Sequence, residues 1–202
     1  MRRIVACLLI GWGLLWTAQS AWAVRAKLRI TFPVGGQDNA TGFDNGTLGT
    51  SGFGITLVSP VSADTQIGFG YTYFRARMVD PPESSERYVA TTTAHLLSLG
   101  GEYTGIELFP GYDLLLGLSV DFPISGQGQV KSDTGAEESS ASGLSGAGTF
   151  LNAGITNRRW EVFGYYQQLQ LSYHNLTVTR SGNSEEVKLN LQSFGIGLGY
   201  LF

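Results

Sequence analysis

The chain has little of what soluble domains and helical membrane proteins usually carry. Charged residues make up 14% of it, whereas soluble domains contain about 25%. The single cysteine, Cys7, lies near the amino terminus, so the remainder forms no disulfide and no thiolate site. After residue 24 no apolar run reaches the about 20 residues that a membrane-spanning helix needs. These absences exclude a disulfide scaffold, cysteine chemistry and a bundle of transmembrane helices.

A sustained helical period of about 3.6 residues is also missing after residue 24. Instead, apolar residues alternate with polar residues or glycine, and the composition is rich in glycine, with 28 residues, and in aromatics, at 12%. Alternation with period two is typical of β-strands. It predicts eight strands, at residues 24–34, 50–60, 64–79, 87–105, 112–125, 141–156, 159–174 and 187–202.

Residues 1–23 have the three parts of a secretory signal peptide. Arg2 and Arg3 precede an apolar run from Ile4 to Trp16, and Ala21-Trp22-Ala23 offers a small-x-small cleavage site. We expect cleavage after Ala23, which leaves residues 24–202 as one domain. Removing the two arginines from the 13 basic residues leaves 11 against 16 acidic ones, a formal charge of −5. That balance argues against a nucleic-acid partner.

The connections between the predicted strands alternate in length. Residues 61–63, 106–111 and 157–158 are short links, whereas the other four, residues 35–49, 80–86, 126–140 and 175–186, are longer and polar. An up-and-down barrel with both termini in the periplasm has this pattern, because its periplasmic turns are short and its extracellular loops long. The sequence therefore predicts an all-β fold: an eight-stranded antiparallel up-and-down transmembrane β-barrel, monomeric, in the outer membrane of a Gram-negative bacterium.

The predicted strands have an apolar face and a face that is polar or small. The apolar set, taken as facing lipid, comprises Ala26, Leu28, Ile30, Phe32, Val34, Ile67, Phe69, Tyr71, Tyr73, Leu114, Leu116, Leu118, Val120, Phe122 and Ile124. A soluble sandwich or lipocalin-like barrel is the alternative, with its apolar faces turned inward. The tyrosines and tryptophan expected at the membrane interfaces are Tyr73, Tyr103, Tyr112, Trp160, Tyr173 and Tyr200.

Two places do not fit this alternation. Gln167 shares the parity of Phe163, Tyr165, Leu169 and Leu171, which places an amide on a face expected to meet lipid. The facing of the fourth strand, which contains His95, is also left open by the pattern. In the last strand the apolar parity changes between Leu191 and Phe194, and we attribute this change to a β-bulge.

The carboxyl-terminal run Phe194-Gly-Ile-Gly-Leu-Gly-Tyr-Leu-Phe202 resembles the terminal strand that the outer-membrane assembly machinery recognises. The layout of residues 24–202 resembles the small eight-stranded outer-membrane barrels typified by OmpX, Ail and the membrane domain of OmpA. This resemblance implies an integral outer-membrane protein whose assembly signal consists of Phe194, Ile196, Leu198, Tyr200 and Phe202. It implies no single activity, since such barrels serve as adhesins, envelope supports, narrow pores and enzymes.

Charged side chains on the inward parity are the first candidate site. They are predicted to form a lumen network of Arg25, Lys27, Arg29, Glu102, Asp113, Asp121 and Glu161. Buried opposite charges must pair, and eight strands leave room for little beyond side chains. The network is therefore expected to be a salt-bridged plug, with a narrow polar pore as the alternative. The sequence indicates no cofactor and no metal site.

Three functions follow from these features. The leading one is a structural or surface-interaction role in which the exterior contacts lipopolysaccharide, ions or host surfaces, with Arg75 and Arg77 meeting lipid phosphates. The second is a narrow channel for ions or small solutes. The third is an outer-leaflet lipid hydrolase, for which Ser172 and His174 share one face of a predicted strand. No acid is clearly placed to orient His174, so we expect no enzyme.

Overall fold

The computed structural model describes residues 24–38, 47–79, 88–132, 137–157, 159–173, 176–178 and 187–202, so the predicted signal peptide lies outside the described residues. Ten strand segments occur: β1 Arg25–Asp38, β2 Thr47–Pro60, β3 Thr65–Val79, β4 Tyr88–Phe109, β5 Tyr112–Ser132, β6 Glu137–Ser142, β7 Leu144–Thr156, β8 Trp160–Tyr173, β9 Leu176–Val178 and β10 Val187–Leu201. In the part of the chain described, no helix is long and apolar enough to cross a membrane.

The ten segments form one closed antiparallel barrel with eight walls. Each wall pairs with the next along the chain, and the first strand β1 pairs with the last strand β10, which closes the sheet. Strands β6 and β7 make one wall that bends at Gly143, whose φ is 79°. Strands β8 and β9 make the next wall. The predicted eight-stranded up-and-down barrel is confirmed.

The first and last described residues, Val24 and Phe202, lie at one end of the barrel, where the amide of Phe202 donates to the carbonyl of Ala26 over 2.9 Å. The links at this end are residues 61–64, Pro110-Gly111 and residues 157–159. The second of these is shorter than predicted because β4 continues to Phe109, and Gly111 completes the tight turn at φ 82°. We call this end the terminal end and the opposite one the distal end, where parts of the longer connections lie outside the described residues.

The barrel presents apolar side chains on its outside across its middle. Exposed members include Ile30, Phe32, Phe53, Ile55, Leu57, Ile67, Phe69, Leu99, Leu116, Leu118, Phe122, Leu151, Val162, Ile196 and Leu198. A closed barrel with an exposed apolar band and charged residues inside has the polarity of a transmembrane barrel, and bacterial barrels of this kind reside in the outer membrane. The expected lipid-facing set on β1, β3 and β5 is confirmed as outward, and the soluble alternative does not fit.

The facing expected for the seventh predicted strand is wrong. On β8 the side chains of Phe163, Tyr165, Gln167, Leu169 and Leu171 are buried inside the barrel, together with Tyr173, which was expected at an interface. The other parity meets the exterior, as the exposed Val162 and Tyr166 show. Both parities of this strand carry apolar residues, so alternation alone assigns neither. The amide of Gln167 is therefore in the lumen and not in lipid.

The bulge expected in the last predicted strand is also absent there. Strands β10 and β8 pair in continuous register from Val187 to Tyr200. Leu189 and Leu191 point into the barrel, whereas Phe194 and the apolar residues after it point out. The apolar set thus changes face along a regular strand. The register shift lies instead in β1, between Pro33 and Gly35.

Candidate functional site in the barrel lumen

Four charged side chains, two buried and two largely buried, meet inside the barrel near the terminal end. Lys27 Nζ lies 2.5 Å from Glu102 Oε2 and 3.0 Å from Glu161 Oε2. The guanidinium of Arg29 contacts both Glu102 and Glu161. Each cation therefore touches both anions. We call Lys27, Arg29, Glu102 and Glu161 the charge cluster.

Strands β1, β4 and β8 supply these side chains, and neighbouring strands hold them in place. Gln66 on β3 donates from Nε2 to Glu102 over 2.7 Å. The guanidinium of Arg29 lies over the ring of Phe163, with 5.0 Å between Cζ and the ring centroid. A side chain at Gly199 would collide with the Glu161 carboxylate. The alternating glycines of β10 thus leave the space that the cluster occupies.

The charge cluster is electrically balanced, with two positive and two negative side chains. Side-chain exposures of 4% for Lys27 and 3% for Glu161 show that water solvates these charges very little. Burial of charges is costly, and only close pairing with further hydrogen bonds compensates for it. The cluster therefore holds the three walls β1, β4 and β8 together as a unit, because loss of any one member leaves a net charge buried.

The other three residues of the predicted network lie elsewhere. Arg25 is exposed and Asp113 is half-buried. Both line an open cavity of about 310 Å³ at the terminal end, whose wall includes Lys27 and Glu161. Asp121 is buried farther inside, at 2% exposure. The predicted seven-residue network is therefore divided into a cluster of four, two residues at the mouth and one in the interior.

Asp121 is held by neutral partners. It accepts hydrogen bonds from Ser98 Oγ over 2.7 Å and from Gln167 Nε2 over 3.1 Å. Among the described residues, no basic side chain forms an ion pair with it. Asp121 was predicted to face inward, but Gln167 was not predicted as its partner because Gln167 was assigned to the wrong face.

A second cavity, of about 70 Å³, lies on the inner side of the charge cluster. Arg29 and Glu102 belong to its wall, as do Asp121 and Asn152. Asn152 is buried, and its Nδ2 finds no hydrogen-bond partner in the described part of the protein. A polar space of this size accommodates water. The charge cluster thus separates an open vestibule from a small internal chamber.

Toward the distal end the lumen is filled by apolar side chains. This apolar cluster consists of Phe74, Ala76, Ala90, Ala94, Leu96, Leu169, Leu171, Tyr173, Leu189 and Leu191. Val130 and Leu144 pack against it. Such a filling excludes water and ions because nothing in it replaces their hydration. This second closure was not predicted from the sequence.

Features that suggest catalysis are few. Within the described ranges, no group of three or more His, Cys, Asp or Glu side chains is arranged to hold a metal ion. Ser172 is half-buried on the outward face of β8, and His174, its partner in the hydrolase hypothesis, lies outside the described residues. The side chains described inside the barrel close and fill the lumen.

No protein-family model matches the chain, and no curated protein matches it. Among solved structures, Ail, the attachment invasion locus protein of Yersinia pestis, is 15% identical over 89% of this chain and 99% of its own, with a TM-score of 0.42. Neisserial surface protein A is 11% identical over 91% and 100%, with a TM-score of 0.43. OprG from Pseudomonas aeruginosa is 10% identical over 89% and 94%, with a TM-score of 0.40.

These structures are small outer-membrane barrels, the kind that the sequence layout resembles. The fold assignment depends on the closed eight-walled sheet and its exposed apolar band, both seen in this chain itself. On that evidence the protein is an eight-stranded transmembrane β-barrel of the outer membrane.

Proposed function

We propose that the protein is a non-enzymatic, non-conducting barrel that serves the outer membrane through its exterior, in a structural or surface-interaction role. The observation that carries this proposal is the double closure of the lumen. The charge cluster blocks the terminal half, and the apolar cluster fills the distal half. An ion passing through would have to separate buried charge pairs and then lose its hydration among leucines. We therefore interpret the lumen as the packed core of the barrel and not as a passage for ions.

The short links support an orientation with both termini in the periplasm, because periplasmic turns of such barrels are short. The charge cluster then lies in the periplasmic half and the apolar cluster in the half toward the cell exterior. The proposed assembly signal for the barrel assembly machinery faces outward: Phe194, Ile196, Leu198 and Tyr200 on β10, and Phe202 directly after it. Monomers satisfy this scheme, since a closed barrel has no unpaired strand edge.

A narrow channel is the second candidate, and the two cavities favour it. The internal chamber of about 70 Å³ and the vestibule of about 310 Å³ approach the charge cluster from opposite sides. A rearrangement of Lys27 or Arg29 would join them. The apolar cluster would still separate the chamber from the distal end, which is why we favour the closed barrel.

Conductance across a planar lipid bilayer tests this proposal. The processed barrel is purified from outer membranes, and its fold is verified by a heat-dependent shift in gel mobility. We expect a silent bilayer, both for the wild type and for Glu161→Gln, because the apolar cluster remains intact in the variant. Discrete conductance steps from the wild type, altered in size or frequency by Glu161→Gln, would instead establish a channel.

The hydrolase hypothesis is tested on the same preparation. Incubation with lipopolysaccharide should release no fatty acid above the level seen with heat-unfolded protein. Fatty-acid release by the folded barrel that His174→Ala abolishes would overturn the non-enzymatic assignment.

A further inference from the structure

The apolar band ends along a clear line on the outer face of β2, β3 and β4. Phe53, Tyr73 and His95 are cross-strand neighbours in one outward row. The ring centroids of Phe53 and Tyr73 are 5.6 Å apart, and those of Tyr73 and His95 are 5.4 Å apart. His95 has the same parity as Leu97 and the exposed Leu99. The facing left open for the fourth predicted strand is therefore resolved: these side chains point outward. Aromatic rows of this kind mark a membrane interface.

The next outward row toward the distal end is polar. Arg75 stands there between Ser51 and Thr93, and Arg77 follows one row farther, next to Thr91. Both arginines are exposed. We call Ser51, Arg75, Arg77, Thr91 and Thr93 the arginine patch. It combines two guanidinium groups with three hydroxyls on one continuous outer surface.

The height of the patch matches the edge of the hydrocarbon. Arg75 follows Ile67, the first lipid-facing residue of β3, by eight residues. At a rise of about 3.3 Å per residue and a strand tilt of about 40°, this spacing places Arg75 about 20 Å above Ile67. The apolar band of such barrels is about 25 Å tall. A long arginine side chain at this position extends into the headgroup region.

The charges of the patch are not neutralised by the described part of the barrel. No acidic side chain among the described residues forms an ion pair with Arg75 or Arg77. Lys131 is a further exposed base nearby, in register with Val89 two rows above Thr93 on one side and with Glu137 on the other. Among the described residues, the two guanidinium groups of the patch therefore remain available to a ligand beside the membrane.

The lower edge of the patch is also polar. Tyr71 and His95 share a hydrogen bond of 2.5 Å between the phenol oxygen and Nδ1. This bond fixes the imidazole ring, and Nε2 has no hydrogen-bond partner among the described residues. A polar ring held on the lipid-facing side is costly in pure hydrocarbon. Its position just below the arginines fits contact with the ester and phosphate groups of a lipid.

We propose that the arginine patch binds the phosphate groups of lipopolysaccharide in the outer leaflet. Arg75 and Arg77 pair with the phosphates, because guanidinium groups bind phosphate oxygens through two parallel hydrogen bonds. Ser51, Thr91 and Thr93 contact the sugar hydroxyls. This inference depends on the proposed function for its orientation, since the distal end must be the extracellular one.

The test measures binding of purified lipopolysaccharide to the barrel in zwitterionic detergent micelles, by thermophoresis at low and high salt. The variant is Arg75→Gln with Arg77→Gln, and the matched control is Arg159→Gln, an exposed arginine at the terminal end. Each basic residue near an anionic surface contributes about 1 kcal/mol, or about fivefold in affinity. We therefore expect the affinity of the double variant to fall by up to about 30-fold. The control should bind as the wild type does, and high salt should weaken only the wild type and control.

Three results would overturn the inference. The first is equal affinity of the double variant and the wild type for lipopolysaccharide. The second is undiminished binding of enzymatically dephosphorylated lipopolysaccharide. The third is tighter binding of phosphatidylglycerol than of lipopolysaccharide, which would indicate the opposite leaflet. Conductance distinguishes the two proposals: a silent bilayer with failed lipid binding removes only this inference, whereas a conducting barrel that binds lipopolysaccharide removes only the closed lumen.

Discussion

The two halves of the lumen are closed by opposite chemistry. Near the terminal end, two cations and two anions bond to each other across the barrel. Toward the distal end, leucines, alanines and aromatic rings fill the same cross-section. Both arrangements exclude water, but substitutions in them should change the stability of the barrel in different ways. A charge cluster depends on every member, whereas an apolar filling loses stability in proportion to the volume removed.

This difference predicts that the charge cluster is the more sensitive half. Glu161→Gln leaves two cations against one anion in a buried site. We expect a loss of about 3–5 kcal/mol in the free energy of unfolding, the usual effect of breaking a buried ion pair by removing one partner. Chemical unfolding in micelles, followed by Trp160 fluorescence, measures it.

Glu107→Gln is the matched control for this change. Glu107 is exposed, and its Oε1 accepts a hydrogen bond from the amide of Gly111 that glutamine can also accept. Its effect should stay within about 0.5 kcal/mol. The double variant Lys27→Met with Glu161→Gln restores charge balance and should cost less than Glu161→Gln alone. If the double variant costs the sum of both single changes, the four residues do not act as a unit.

The apolar half is tested by Leu171→Ala. Leu171 is 1% exposed inside the apolar cluster, and its truncation leaves a cavity that its neighbours fill only partly. We expect a loss of about 2–5 kcal/mol in the free energy of unfolding. Leu198→Ala, on the outer face at 48% exposure, is the control. Lipid or detergent chains occupy the vacated space there, so its cost should be about 1–2 kcal/mol, the transfer term alone.

Equal losses from these two leucine variants would contradict the placement of Leu171 in a packed interior. The same unfolding measurement decides it.

Sequence alone predicted the barrel because its outer face is simple. On β1 and β5 one parity is apolar and the other is, apart from Leu115, charged, polar or small, which favours a lipid-facing strand in a closed barrel. Lys27 and Arg29 on β1 were predicted to face inward for the same reason, whereas Glu102 and Glu161 were added because buried cations need acidic partners. On β8 the rule fails: Phe163 and Tyr165 face inward, and Val162 and Tyr166 face outward, so the pattern of apolar residues contains no information about the face.

Alternation also does not predict the position of a side chain along the barrel axis. Glu102 is in register with Gly117 on β5, whereas Ser98 is in register with Asp121. Gly117 and Asp121 are four positions apart in sequence, which corresponds to about 13 Å along the strand. Asp121 therefore shares the inward face of the charge cluster but not its level. Only the pairing register separates them, and it depends on the irregularities between Tyr103 and Phe109 next to the turn, which alternation does not reveal.

The smallest expected change in the free energy of unfolding comes from comparing adjacent residues on the two faces of β8. Gln167 is 7% exposed inside the barrel and donates to Asp121, whereas Gln168 faces outward. Gln167→Met keeps the length of the side chain but removes a donor to a buried carboxyl group, so we expect a loss of about 1–3 kcal/mol in the free energy of unfolding. Gln168→Met replaces an amide on the outer surface and should change it by less than about 0.5 kcal/mol. Reversed magnitudes would mean that β8 turns its other parity inward, and the apolar cluster as described would not exist.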